Sequence, residues 1–177
     1  MPDVSLLELQ RLDFYRASEL HGGLILGQFA RRAKDPELIQ CLTVHAAEEV
    51  VHSRLWLETL LALGGRPRRQ RETYQTRYAA QLGEPRTLLE VLALTNVFER
   101  RVHRHFSLHL GRPGVHPRVS QTLRRMIADE RYHLAWVHRW LKHQDQLTVK
   151  RLFARYQAVD ALVYAELFQE YGFAEAA

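Results

Sequence analysis

The chain is poor in cysteine and has no long apolar run, and each shortage removes a class of protein. Its single cysteine, Cys41, can form no internal disulfide and builds no cysteine-rich zinc or iron–sulfur site. A reducing, cytoplasmic setting is therefore expected. There is no stretch of about 18 uninterrupted apolar residues, so no membrane span is expected. Met1-Pro2-Asp3-Val4-Ser5 shows no basic segment followed by an apolar one, so no signal peptide is expected there. No segment alternates apolar and polar residues in the way a half-buried strand does, which makes the expected fold class all-α.

What is present points to a folded protein. Hydrophobic residues make up 46% of the 177, an ordinary share that argues against disorder. That length suggests one domain with a sizeable core. The net charge is +5 and the pI about 9.7. A basic chain can attract an anionic partner. Here arginine supplies 22 of the 25 basic residues, spread along the whole sequence, so nucleic-acid binding is not expected.

Ser5-Leu6-Leu7-Glu8 reads as a capping box that starts a helix. Leu12, Tyr15, Glu19, Gly22, Leu26, Ala30 and Ala33 then follow at steps of three or four and predict an amphipathic helix to about residue 34. Glu19 interrupts an otherwise apolar or small stripe. Asp35-Pro36-Glu37 starts a second helix, with Leu42, His45, Glu49, His52, Trp56, Leu60 and Leu63 inward, ended by Gly64-Gly65. Residues 64–84 form a connection long enough to cross a bundle from end to end, with a helical part around Tyr74 to Leu82. Pro85 is expected to open a third helix, with Leu88, Leu92, Thr95, Glu99, Val102, Phe106 and Leu110 on one stripe. Pro117 is expected to open a fourth, with Val119, Leu123, Met126, Glu130, His133, Val137 and Leu141 inward. A last helix over roughly 146–171 carries Leu147, Leu152, Val159, Leu162, Val163 and Leu167 and is expected outside the four-helix core. The domain organisation predicted is one domain over 1–177: a hairpin over 5–63, a crossover over 64–84, a second hairpin over 85–143 and a C-terminal helix over 146–171.

Two of these helices carry Glu-x-x-His, at Glu49-Val50-Val51-His52 and Glu130-Arg131-Tyr132-His133. On a helix that spacing places both side chains on one face, about one turn apart. Each copy follows a helix with a lone glutamate in its stripe: 49 − 19 is 30 residues and 130 − 99 is 31. Each half is thus a helix with one Glu, a short turn, and an antiparallel helix with Glu-x-x-His. All six residues can then meet at mid-height in one bundle. Four carboxylates gathered in a core repel and resist desolvation, and two divalent ions remove that cost. Carboxylate and imidazole donors suit iron, manganese or zinc.

This order of ligands resembles the ferritin-like superfamily of di-iron carboxylate proteins, of rubrerythrin and bacterioferritin type, over residues 12–141. The resemblance implies a four-helix bundle of two hairpins. It implies two iron ions (manganese, or a mixed manganese–iron pair, being the alternatives) held by Glu19, Glu49, His52, Glu99, Glu130 and His133. Glu49 and Glu130 would bridge, and Glu19 and Glu99 would bind terminally. It also implies that Asp129 orients His52 and Glu48 orients His133 by accepting the second ring N–H. The chain departs from parts of the family. One cysteine excludes the cysteine-rich iron domain of rubrerythrin, Asn96 and Val102 flank Glu99 where rubrerythrins tend to carry an extra glutamate, and Val50 replaces the haem-binding methionine of bacterioferritin.

The expected function is a non-haem di-metal oxidoreductase that activates dioxygen or peroxide, uses an external electron donor and acts on a small-molecule or acyl substrate. Gly22 and Gly23 leave room for a substrate or gas channel, or permit close helix packing; Tyr15 and Tyr132 are candidate electron relays. His45, His103, His105 and His109 read as packing or surface residues, with His103 one turn from Glu99. One alternative is a ferroxidase or iron-storage subunit of a homo-oligomeric cage. Another is a binding module that grips an anion through Arg66, Arg68, Arg69 and Arg71.

Overall fold

A computed structural model describes residues 4–172. Among them there are six helices and no strand: α1 Leu6–Ala30, α2 Pro36–Ala62, α3 Tyr74–Leu82, α4 Leu88–Leu110, α5 Pro117–Leu141 and α6 Gln146–Tyr171. Among the described residues no helix is long and apolar enough to cross a membrane. The chain divides into two compact units, Met1–Thr76 and Arg77–Ala177, with the boundary inside α3.

In the first unit, Ser5 Oγ caps α1 by accepting from Glu8 N at 3.1 Å, and Asp35 caps α2 ahead of Pro36. The helices run antiparallel, since Ser53 Oγ donates to Arg16 O at 2.8 Å while Gly23 lies against Ala46 and Val50. Helix α1 ends at Ala30, earlier than expected. Beyond Gly64, whose φ of +80° ends α2 in the left-handed region, the chain turns back along α1. Asp13 Oδ2 accepts from Arg68 N at 2.9 Å and from Gln70 Nε2 at 3.0 Å. Further on, Tyr74 N donates to Ser18 Oγ at 3.3 Å, Gln75 Nε2 donates to Ser18 O at 3.0 Å, and Tyr74 packs on Phe14 edge to face at 5.0 Å. Every residue of α1 from Arg11 through Tyr15 is buried, where the sequence pattern predicts a single inward stripe. The returning strap's own donors in these contacts are backbone and neutral groups, and the side chains of Arg66, Arg68, Arg69 and Arg71 remain exposed.

In the second unit α4 packs against both α5 and α6. Helix α4 starts at Leu88, three residues past Pro85: Thr87 and Glu90 form a reciprocal capping box that satisfies the first N–H groups better than a proline start. The α5 stripe from Val119 to Leu141 is buried as expected. The expected α6 stripe holds at Val163 and Leu167 and is corrected at Leu147 and Leu162. Leu147 and Leu162 are 59% and 58% exposed, and the buried face consists of Val149, Tyr156, Asp160, Val163, Tyr164 and Leu167. That face is partly polar because α3 and α4 meet it with polar groups. Tyr78 OH donates to Asp160, Arg101 Nε donates to Asp160 Oδ2 at 2.8 Å, the Arg101 guanidinium lies 4.4 Å from the centre of the Tyr164 ring, and His105 Nδ1 pairs with Tyr164 OH at 3.0 Å.

Candidate metal centre

Antiparallel packing of α1 on α2 sets Glu19 beside Glu49 and His52. All three are buried, and none is more than 5% exposed. His52 Nδ1 lies 4.0 Å from Glu19 Oε2 and 4.0 Å from Glu49 Oε1. One ligand atom from each of the three lies within 4.8 Å of the others. Metal–nitrogen and metal–oxygen bonds of about 2.0–2.2 Å let two donors of one ion stand up to roughly 4.3 Å apart, so these separations fit a shared ion. The donor set also fits chemically, because buried carboxylates need a cation and carboxylate–imidazole ligation suits first-row transition metals. These buried His and Glu groups can therefore hold a metal ion.

The second unit repeats the pattern on α4 and α5. Glu99, Glu130 and His133 are buried, at no more than 3% exposure. His133 Nδ1 is 3.4 Å from Glu130 Oε2, and donor atoms of Glu99 and His133 lie within 4.8 Å of each other. In both Glu-x-x-His helices it is Nδ1 that turns to the carboxylates, which leaves Nε2 for a partner that fixes the ring.

The other predicted residues fall in varied places. Asp129 Oδ2 accepts from Arg125 Nε at 2.7 Å, one turn earlier on its own helix, and Glu48 is half-buried. Gly22 and Gly23 serve a close helix approach. A Cβ on Gly23 would come 2.9 Å from Ala46 O, and one on Gly22 would come 3.3 Å from Glu49 Oε2. Tyr15 is buried against Trp56, with ring centres 5.1 Å apart. Tyr132 is 47% exposed, its ring centre 6.5 Å from that of His133. Asn96 accepts from Arg100 Nε at 3.1 Å, and Val102 is buried. His103 is half-buried, while His105 and His109 are core residues.

His45 reads from the sequence as a packing or surface residue, and the structure brings it to the site. It is fully buried, and its Nε2 lies 3.2 Å from Glu49 Oε1. The signal was available, since His45 sits one turn before Glu49 on the same stripe. Compared with models of protein families, with curated proteins and with solved structures, the chain returns no match.

Proposed function

We propose that the chain is a ferritin-like four-helix bundle. In this reading α1–α2 and α4–α5 bring Glu19, Glu49, His52, Glu99, Glu130 and His133 to one di-metal centre. The centre serves an oxidoreductase that activates dioxygen or peroxide with electrons from an external donor. The observation that carries this reading is the repetition, in two antiparallel helix pairs, of a lone buried glutamate beside a buried Glu-x-x-His. A structural core would fill those positions with apolar side chains, as the flanking positions of the same stripes are filled by Leu42, Leu60, Leu123 and Leu141.

When bound, an iron pair (or manganese in one or both places) supplies the one-electron redox chemistry that reduction of dioxygen or peroxide requires. The protein's part is to hold and shield the pair. Glu49 and Glu130 offer carboxylates with two oxygens each, suited to bridging. Glu19 and Glu99 bring further negative charge from the facing helix of each pair. His52 and His133 add neutral nitrogen donors and so limit the total charge. Burial of all six keeps water from competing for them.

The test uses the metal-loaded protein with a chemical reductant, following consumption of dioxygen and of hydrogen peroxide. Glu49→Ala and His52→Ala should lose both metal content and turnover. Full metal content and turnover in both variants would contradict the proposal.

A further inference from the structure

The two halves repeat position by position along α2 and α5. With Glu49 set against Glu130, Leu42 matches Leu123, His52 matches His133 and Leu60 matches Leu141, and all of these are buried. The match breaks one turn before the central glutamate. There α2 has His45 and α5 has Met126, both fully buried. A buried imidazole needs polar partners that a thioether does not. His45 Nε2 is turned toward Glu49, at 3.2 Å from Oε1.

We propose that His45 is a further metal ligand, binding through Nε2 to one of the two ions that Glu49 bridges; this rests on the metal-centre reading above. Two donors of one ion at bond lengths of about 2.1 Å and an angle of 90–100° stand about 3.0–3.2 Å apart. The observed 3.2 Å is that separation. Helix α2 then offers donors on three successive turns, at 45, 49 and 52, whereas α5 offers two, at 130 and 133. The centre is consequently unequal: α2 supplies two imidazoles and α5 one. Extra nitrogen ligation favours metals later in the first-row series, so the two ions should differ in affinity.

Cobalt(II), loaded into the metal-free full-length protein, tests this without any turnover. Each coordinated imidazole gives a strongly shifted, solvent-exchangeable ring N–H signal in the proton NMR spectrum. Wild type should show three such signals. His45→Met, which copies the residue of the other half, and His45→Gln, which keeps an N–H that can donate to Glu49, should each show two. Chelator competition should show one cobalt ion bound about 10–100-fold more weakly in both variants. The other ion should be unchanged, and circular dichroism should report an intact helical fold. Two signals in wild-type protein that holds two cobalt ions would overturn the assignment of His45 and leave the metal centre standing. An unaltered cobalt affinity in His45→Gln would do the same. Failure of wild type to bind cobalt at all would overturn both readings.

Discussion

Replacing Gly22 and Gly23 in turn by alanine should give effects of opposite sign, although the two residues are neighbours in the same helix. In the middle of α1 each replacement gains about 1 kcal/mol of helix propensity. At Gly23 the new methyl would meet Ala46 O at 2.9 Å, Val50 Cγ2 at 3.0 Å and Glu49 Cβ at 3.2 Å. The first of these is backbone of α2, so α1 has to move off its partner. Overpacking of this kind costs about 1–3 kcal/mol, and the net for Gly23→Ala is a loss of up to about 2 kcal/mol. At Gly22 the methyl would meet only Gln75 Nε2 and Glu49 Oε2, both at 3.3 Å and both at the ends of flexible side chains. Most of the propensity gain survives, so metal-free Gly22→Ala should be as stable as wild type or more so by up to about 1 kcal/mol. Its cost falls on Glu49, whose carboxylate has to shift by a few tenths of an ångström, so cobalt(II) affinity should drop while stability does not. Urea titration of the metal-free variants, paired with chelator competition, reads both quantities. A Gly23→Ala protein as stable as Gly22→Ala would refute the packing argument. Unchanged metal affinity in Gly22→Ala would refute the link from α1 to Glu49.

Asp13 anchors the strap, accepting from Arg68 N, Gln70 Nε2 and Arg16 Nε. Asp13→Ala should cost about 2–4 kcal/mol and open the chain to trypsin at Arg69 and Arg71, and equal trypsin resistance in variant and wild type would count against the anchor. Burial, reinforced by the Asp160 carboxylate, pushes the Tyr78 hydroxyl well above the ordinary tyrosine value of 10.0. The folded chain then holds the Tyr78 proton more tightly than the unfolded chain. The resulting stability is intact below pH 10 and is lost as pH rises beyond it. Absorbance titration at alkaline pH should show Tyr78 among the tyrosines that ionise late, and Asp160→Asn should let it ionise earlier; a Tyr78→Phe protein with the same alkaline titration curve would contradict this.

Much of the architecture was legible because helix period and capping chemistry act locally. The stripe of α5 follows from Leu123, Met126, Glu130, His133 and Val137 alone, and Asp35-Pro36 marks the start of α2. Glu19 and Glu99 stood out because a charge interrupts an apolar stripe, and a buried charge needs a partner. Where the pattern misled, a polar group was doing the packing. Helix α6 turns Asp160 and Tyr164 inward because Tyr78, Arg101 and His105 receive them, whereas leucine spacing pointed to Leu147 and Leu162. Asp13 and Ser18 lie off the α1 stripe and gave no sign of a strap, since the groups that tie them to it, Arg68 N, Gln70 Nε2 and Tyr74 N, lie more than 50 residues away. The start of α4 was misplaced because Pro85 is a visible signal, while Thr87-Leu88-Leu89-Glu90 was equally readable as a capping box and proved decisive. His45 sits one turn before Glu49 on the same stripe, but a histidine on an apolar stripe usually packs as a core residue, and its 3.2 Å approach to Glu49 is what turns that position into a candidate ligand.

The most direct test of the central claim is elemental analysis of the purified full-length protein beside its Glu49→Ala variant. Wild type should carry about two transition-metal ions per chain, and the variant should carry few or none. A wild-type protein that takes up no transition metal when iron, manganese and cobalt are supplied, or a variant as fully loaded as wild type, would contradict the account.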